Sequence, residues 1–144
     1  MTHARQQIRE AVVSLLTGLT TTGANVYDTR LYSHNALPSL TVFADAESIN
    51  NEVSTKTSQM RNLTIRVEAR VKGTSGAEDI VDTICAEVDA AIYDDTTLDG
   101  RALDTNLEAT VIEYSVEQDQ PIALAILTFN VEYRVAPGAP TVLL

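Results

Sequence analysis

Arg61-Asn62-Leu63-Thr64-Ile65-Arg66-Val67-Glu68-Ala69-Arg70-Val71-Lys72 decides the architecture. Leu63, Ile65, Val67, Ala69 and Val71 share one parity. Asn62, Thr64, Arg66, Glu68, Arg70 and Lys72 share the other. A period of two is that of a β-strand with one face on a core and one face toward water. Gly73-Thr74-Ser75-Gly76 ends this strand and opens a helix over about 76–93. Ser75 and Glu78 have capping-box spacing. Ile80, Ile84, Val88 and Ile92 form the apolar stripe, widened by Val81, Cys85 and Ala91. Glu78, Asp79 and Asp82 sit early, where the helix dipole favours acids.

Downstream, residues 94–104 read as an acidic loop. Two long strands follow, Leu107 to Gln118 and Ile122 to Val135. Ile112, Tyr114 and Val116 alternate with Glu113, Ser115 and Glu117. Ala123, Ala125, Leu127, Phe129, Val131, Tyr133 and Val135 share one parity. Gln118-Asp119-Gln120-Pro121 suits the hairpin turn between them. Upstream, Ile8, Val12, Leu15, Leu16 and Leu19 mark an amphipathic helix with Thr2 as its N-cap. A short strand is expected over Asn25 to Tyr32, then a turn at Ser33-His34-Asn35, then a strand from Ser39 to Ala46 opened by Pro38. Residues 46–59 carry many Ser, Thr, Asn and Glu and read as a long mobile loop or a β-excursion. The sum is an α+β domain over residues 1–135, in the order α-β-β-β-α-β-β. Its mostly antiparallel sheet carries two helices packed on one face. Residues 136–144, with Pro137, Gly138 and Pro140, are expected to be an extended tail ending in exposed Val142, Leu143 and Leu144.

The chain has 144 residues, ten Lys or Arg, twenty Asp or Glu and a formal net charge of −10. Its sequence pI is about 4.4. That length suits one domain. A 44% hydrophobic content can fill a core, which argues against intrinsic disorder. The acidity argues against gripping nucleic acid, since such affinity comes from cations on phosphates. It equally disfavours anionic membrane surfaces. Cys85 is the sole cysteine, so no intrachain disulfide can form. The polar start and the absence of a long apolar run lead to the expectation of a soluble cytoplasmic protein.

Catalytic and metal signals are thin. His3 and His34 are the two imidazoles, and no nucleophile elbow or phosphate-binding Gly-rich loop is present. Cys85 reads as a small core hydrophobe, because reactive thiols need exposed, electropositive settings. Asp95-Thr96-Thr97-Leu98-Asp99-Gly100 begins like a calcium loop. Leu103 and Asn106 then stand where a ninth-position ligand and a bidentate Glu belong, which makes a turn the better reading. Neither a metal nor another cofactor is expected. Arg66, Glu68, Arg70 and Lys72 read as salt-bridge partners, to neighbouring strands or across a subunit contact.

The chain resembles the tail terminator proteins of long non-contractile-tailed bacteriophages, the lambda-like minor tail protein U family. The likeness lies in the helix Ile8 to Leu19, in Val26-Tyr27-Asp28-Thr29-Arg30, in Leu37-Pro38-Ser39-Leu40-Thr41-Val42-Phe43-Ala44, in Glu47, and in the strand–helix–strand–strand order from Leu63 to Tyr133. Thr29 stands where the family often has Gly. The resemblance implies a structural virion protein without enzymatic activity, made in the host cytoplasm. Six copies would form a homo-hexameric ring on the head-proximal end of the tail tube, ending tube growth and offering a surface for head–tail joining. The implied partners are the tail tube protein and a neck or head-completion protein, with no membrane. Another head–tail connector, or a non-viral acidic adaptor, is the alternative.

In that frame, Asp28, Arg30, Arg66 and Arg70 are candidates for inter-subunit charge pairs, with a local turn pair as the alternative for Asp28 and Arg30. Glu47, Ile49, Glu52, Val53 and Lys56 are candidates for tube or neck contact, as are Val142, Leu143 and Leu144. Six copies multiply the net charge sixfold, and acids on the bore would let DNA pass without binding. Asp94, Asp95 and Asp99 are the bore candidates.

Overall fold

The computed structural model describes residues 2–28, 37–117 and 120–144. Its elements are α1 (Ala4–Leu16), β1 (Val26–Tyr27), β2 (Ser39–Asn50), β3 (Gln59–Lys72), α2 (Ala77–Asp94), β4 (Asp104–Glu117), β5 (Gln120–Ala136) and β6 (Ala139–Leu143). The α+β class and the expected order hold, with β6 added at the end.

The alternation in β3 is realised. Leu63, Ile65, Val67, Ala69 and Val71 are all buried. β3 is central, antiparallel to β2 on one side and to β5 on the other. The sheet order is β1-β2-β3-β5-β4, with β1 parallel to β2 and β6 pairing the end of β5. Both β3 and β4 run antiparallel to β5, so they are parallel to each other. Parallel strands need a crossover, and α2 supplies it while leaving a slot that β5 fills. Where β3 leaves the sheet, the Gly73 N–H donates to Pro121 O at 2.8 Å. A Cβ on Gly73 would lie 2.9 Å from the Pro121 side chain, so this crossing requires glycine.

Both helices cover the same face. Ala4, Ile8, Val12 and Leu16 of α1 join Ala77, Val81, Ile84, Val88 and Ile92 of α2 in one apolar cluster. The alternate residues of β5 from Ala123 to Val135 complete it, as their parity predicts. Three local expectations are corrected. Ile80 lies on the flank and is exposed, while Val81 takes the core position. Gly76, with φ at 84°, is the N-cap of α2 and no side chain caps it; this left-handed residue displaces Ser75 from the capping position. In α1 the cap is His3 rather than Thr2, its Nδ1 accepting from the Arg5 N–H at 3.0 Å. Burial, then the Arg5 charge, lowers the His3 pKa, which favours the neutral ring whose lone pair this bond needs.

Residues 46–59 follow the second of their two readings, the β-excursion, and the extended tail contains a strand. β2 runs on to Asn50, so the expected loop shrinks to the tip of a β2–β3 hairpin. The extended tail is held in the sheet: Pro137 and Gly138 make a turn, Gly138 has φ at 77°, and β6 folds back onto β5. β4 differs in another way. Every residue from Asn106 to Tyr114 is exposed, on both faces, so its alternation does not mark a core face. The expected strand residues Leu31 and Tyr32, the turn at Ser33-His34-Asn35, and Gln118-Asp119 of the last hairpin lie outside the described residues.

The two kinds of strand respond differently to truncation. Leu63→Ala in β3 is expected to cost about 2–5 kcal/mol, the transfer loss plus a cavity. Ile112→Ala in β4 should cost less than about 0.5 kcal/mol. Urea unfolding of dilute protein measures both, and equal losses would contradict the exposure of β4.

Candidate functional site

The tip of the β2–β3 hairpin, residues 51–58, extends past the last β3–β5 pair, Gln59 with Val135, and a polar cluster lies at its base. A bulge between Ala44 and Ala46 shifts the register, so that Glu47 pairs opposite Leu63 on the helix-covered face. There the Glu47 carboxylate accepts from Arg5 Nη1 at 3.1 Å and Arg61 Nη1 at 3.3 Å. It also accepts from the Tyr133 hydroxyl. The Glu47 and Arg61 side chains are only 9% and 12% exposed. Burial first, then the hydrogen bond to Glu47 and its charge, pushes the Tyr133 phenol well above the usual tyrosine range. Glu47 therefore ties α1, β2, β3 and β5 together. It is not a loop residue, which corrects its expected place in a contact loop.

The tip is a tight structure. Ser54 Oγ donates to Asn50 O at 2.6 Å and accepts from the Met60 N–H at 3.0 Å. The Thr55 N–H donates to Ser58 O at 2.7 Å. Arg134 braces the base from β5, donating to Ser58 Oγ at 3.0 Å. Ile49 and Val53 are 43% and 46% exposed. Glu52 and Lys56 are exposed beside them.

The opposite side of the sheet is an open edge. β4 pairs only with β5 among the described residues. Val111, Ile112 and Tyr114 are 48%, 55% and 57% exposed. Register puts Ile112 and Tyr114 on the helix side, opposite Ala125 and Ala123, and Val111 on the other face, opposite Ile126. Such an edge is a template for another strand. Partial loss of water around the ring raises the Tyr114 pKa, and Glu78 of α2 adds to the rise.

Charge divides along the same line. Residues 77–117 carry twelve Asp or Glu against one base, Arg101, an excess of eleven acids. The remaining residues carry eight acids and nine bases. The α2–β4 side thus holds the whole net charge. The total over the chain hides this division, and the count over residues 77–117 shows it.

The other expected site residues are distributed as follows. Arg66 pairs with Asp45 of β2 at 3.2 Å, and Arg70 pairs with Glu68 of its own strand at 2.6 Å. Both pairs lie within one chain. Asp28 is exposed at a bend, and Arg30 lies outside the described residues. Asp94 is exposed. Asp95 holds the α2–β4 turn, accepting from Thr97 Oγ1 at 3.1 Å and the Asp99 N–H at 2.9 Å. Asp99 pairs with Arg101 at 3.1 Å. Leu98, Asp99 and Gly100 all have positive φ, and the buried Leu98 side chain fixes that turn to the core. Leu143 packs on the core, whereas Val142 and Leu144 are exposed.

An open cleft of about 450 Å³ lies between α1 and the α2–β4 turn, bordered by Gln7, Glu10, Ser14, Asp95 and Arg101. Among the described residues, no group of three or more His, Cys, Asp or Glu side chains could hold a metal ion. Cys85 is half-buried, and burial, then Asp82, raises its thiol pKa, the opposite of an activated nucleophile. Among the described residues, no helix is long and apolar enough to cross a membrane.

No protein-family model matches the chain, and no curated protein sequence matches it. Its fold is similar to that of a solved chain in the virion of a native gene transfer agent particle. That likeness has a TM-score of 0.53 at 16% identity and covers 92% of each chain.

The Tyr133–Glu47 contact makes stability depend on alkaline pH. A phenol whose pKa is raised on folding contributes fully below the unfolded tyrosine value of about 10, and that contribution fades as pH rises through the folded value. Urea midpoints of the wild type and Tyr133→Phe should therefore converge as pH rises above about 10. A constant difference would remove this bond from the account.

Proposed function

We propose that the chain is a structural protein of a tailed phage or phage-like virion, and that it forms the ring closing the head-proximal end of the tail tube. One observation carries this reading: the likeness to the virion chain extends over the whole domain. The surface supports it. The residues are arranged for contact rather than chemistry, with a braced hairpin on one side and an open strand edge on the other. Heterologous contacts between such sides generate closed rings or filaments.

In this reading the hairpin tip, with Ile49, Glu52, Val53 and Lys56, meets the tube or neck protein or a neighbouring subunit. Val142 and Leu144 add an apolar contact at the end of β6. The acids of the α2–β4 turn, Asp94, Asp95 and Asp99, repel phosphate if they line the bore. The role requires no cofactor and no catalytic step. The resemblance read from the sequence and the fold likeness point to the same kind of particle by separate routes.

Electron microscopy of particles from a strain lacking the gene tests the role. Over-long tails without heads are expected. Normal-length tails without heads would instead identify a neck connector, and intact particles would overturn both readings. A narrower test replaces residues 51–58 with a tight two-residue turn. The variant should still melt cooperatively, because Glu47 and the core are untouched, yet fail to cap tubes. Capping at wild-type level would remove the tip from the interface.

A further inference from the structure

We propose that β4 of one copy pairs along its open edge with the open edge of β2 in a second copy, extending the sheet head to tail from subunit to subunit. The inference rests on the reading that copies of this chain assemble, and it names the surfaces that meet. The two edges lie at opposite sides of the sheet. β4 has no partner beyond β5, and β1 covers β2 only at Leu40 and Thr41, among the described residues. From Ala44 to Asn50 the outer edge of β2 has no partner strand among the described residues, and an edge of that kind accepts another strand.

Charge decides which strand can come. β4 carries Asp104, Glu108, Glu113 and Glu117 and no base. Two β4 edges paired with each other would set carboxylates against carboxylates, which destabilises a sheet. A symmetric β4–β4 dimer is thereby disfavoured. The β2 edge carries two carboxylates, and both are neutralised within the chain: Asp45 by Arg66, and Glu47 by Arg5 and Arg61. It accepts an acidic strand without adding repulsion. Apolar content matches as well. Val111 and Ile112 of β4 are exposed, and so are Ile49 and Val53 beside the β2 edge. Pairing would place Ile112 and Ile49 on the same, helix-covered face of the joined sheet, where they can meet across the new strand pair.

A mixing experiment on the full chain tests this. Ile112→Asp blocks the β4 edge and Ile49→Asp blocks the β2 edge. Both positions are exposed, and cooperative thermal melts establish that each variant folds; Ile112→Lys and Ile49→Lys replace any that does not. Native mass spectrometry and sedimentation should show wild-type oligomers. Each variant alone should self-associate at least about tenfold more weakly. The mixture should give one-to-one dimers and nothing larger, because only one β2 edge and one β4 edge remain intact. Oligomers that persist in both variants would overturn the edge pairing and leave the ring reading standing. Mixed dimers from the variants, with only open chains of wild-type protein, would keep the pairing and overturn the ring. A wild-type chain that stays monomeric up to its solubility limit would overturn the pairing.

Discussion

Two helices cannot cover this sheet. α1 has 13 residues and α2 has 18, lengths of about 20 and 27 Å at 1.5 Å per residue. β3 and β5 have 14 and 17 residues, about 46 and 56 Å at 3.3 Å per residue. The cover reaches β3 and β5 along their apolar face and leaves β4 bare. Apolar side chains stay exposed at two places, Ile49 and Val53 at the end of the β2–β3 hairpin and Val111, Ile112 and Tyr114 along β4. Everything between them is ordinary core, with Leu63, Ile65 and Val67 facing both helices and the matching residues of β5.

An overhanging hairpin needs an anchor, and Glu47 provides it. A carboxylate this buried would be costly alone. Two guanidinium groups and a phenol hydroxyl satisfy it, and they come from α1, β3 and β5. Removing the carboxylate would leave Arg61 without that ionic partner at low exposure, which is why such clusters resist substitution. The same cluster gives the hairpin a defined direction, so that Ile49 and Val53 are presented by a rigid base. The Ser54 hydroxyl does comparable work at the tip.

The net charge gains meaning once it is placed. As a total it only disfavoured nucleic-acid and membrane binding. In the fold it becomes an acidic α2–β4 side and a nearly neutral remainder. Such a molecule repels itself in one orientation and not in another, so charge selects orientation as much as affinity. Repulsion among exposed acids is screened over about 8–10 Å at physiological salt, which makes any assembly through this side sensitive to ionic strength.

The helices, the β3 and β5 strands and their core parities were legible because each rests on a local period that tertiary contacts did not change. Ser75 was misread because a left-handed Gly76 caps α2, and Ile80 because a strict four-residue step drifts about 40° each time from the face that Val81, Ile84, Val88 and Ile92 hold. Glu47 was misread for a non-local reason. The bulge at Ala44–Ala46 flips parity, and only the partner strand shows it. β4 alternates like a half-buried strand, yet nothing covers it, because cover depends on where α2 ends. The sequence by itself determined the fold class, the element order and which face of β3 and β5 is apolar, since side-chain period is written into the chain. Only the tertiary structure decided that polar residues 46–50 continue a strand, that the Pro/Gly tail closes as β6, and that α2 lies over β3 and β5 while β4 stays bare. Register and cover are relations between segments, and no single segment carries them.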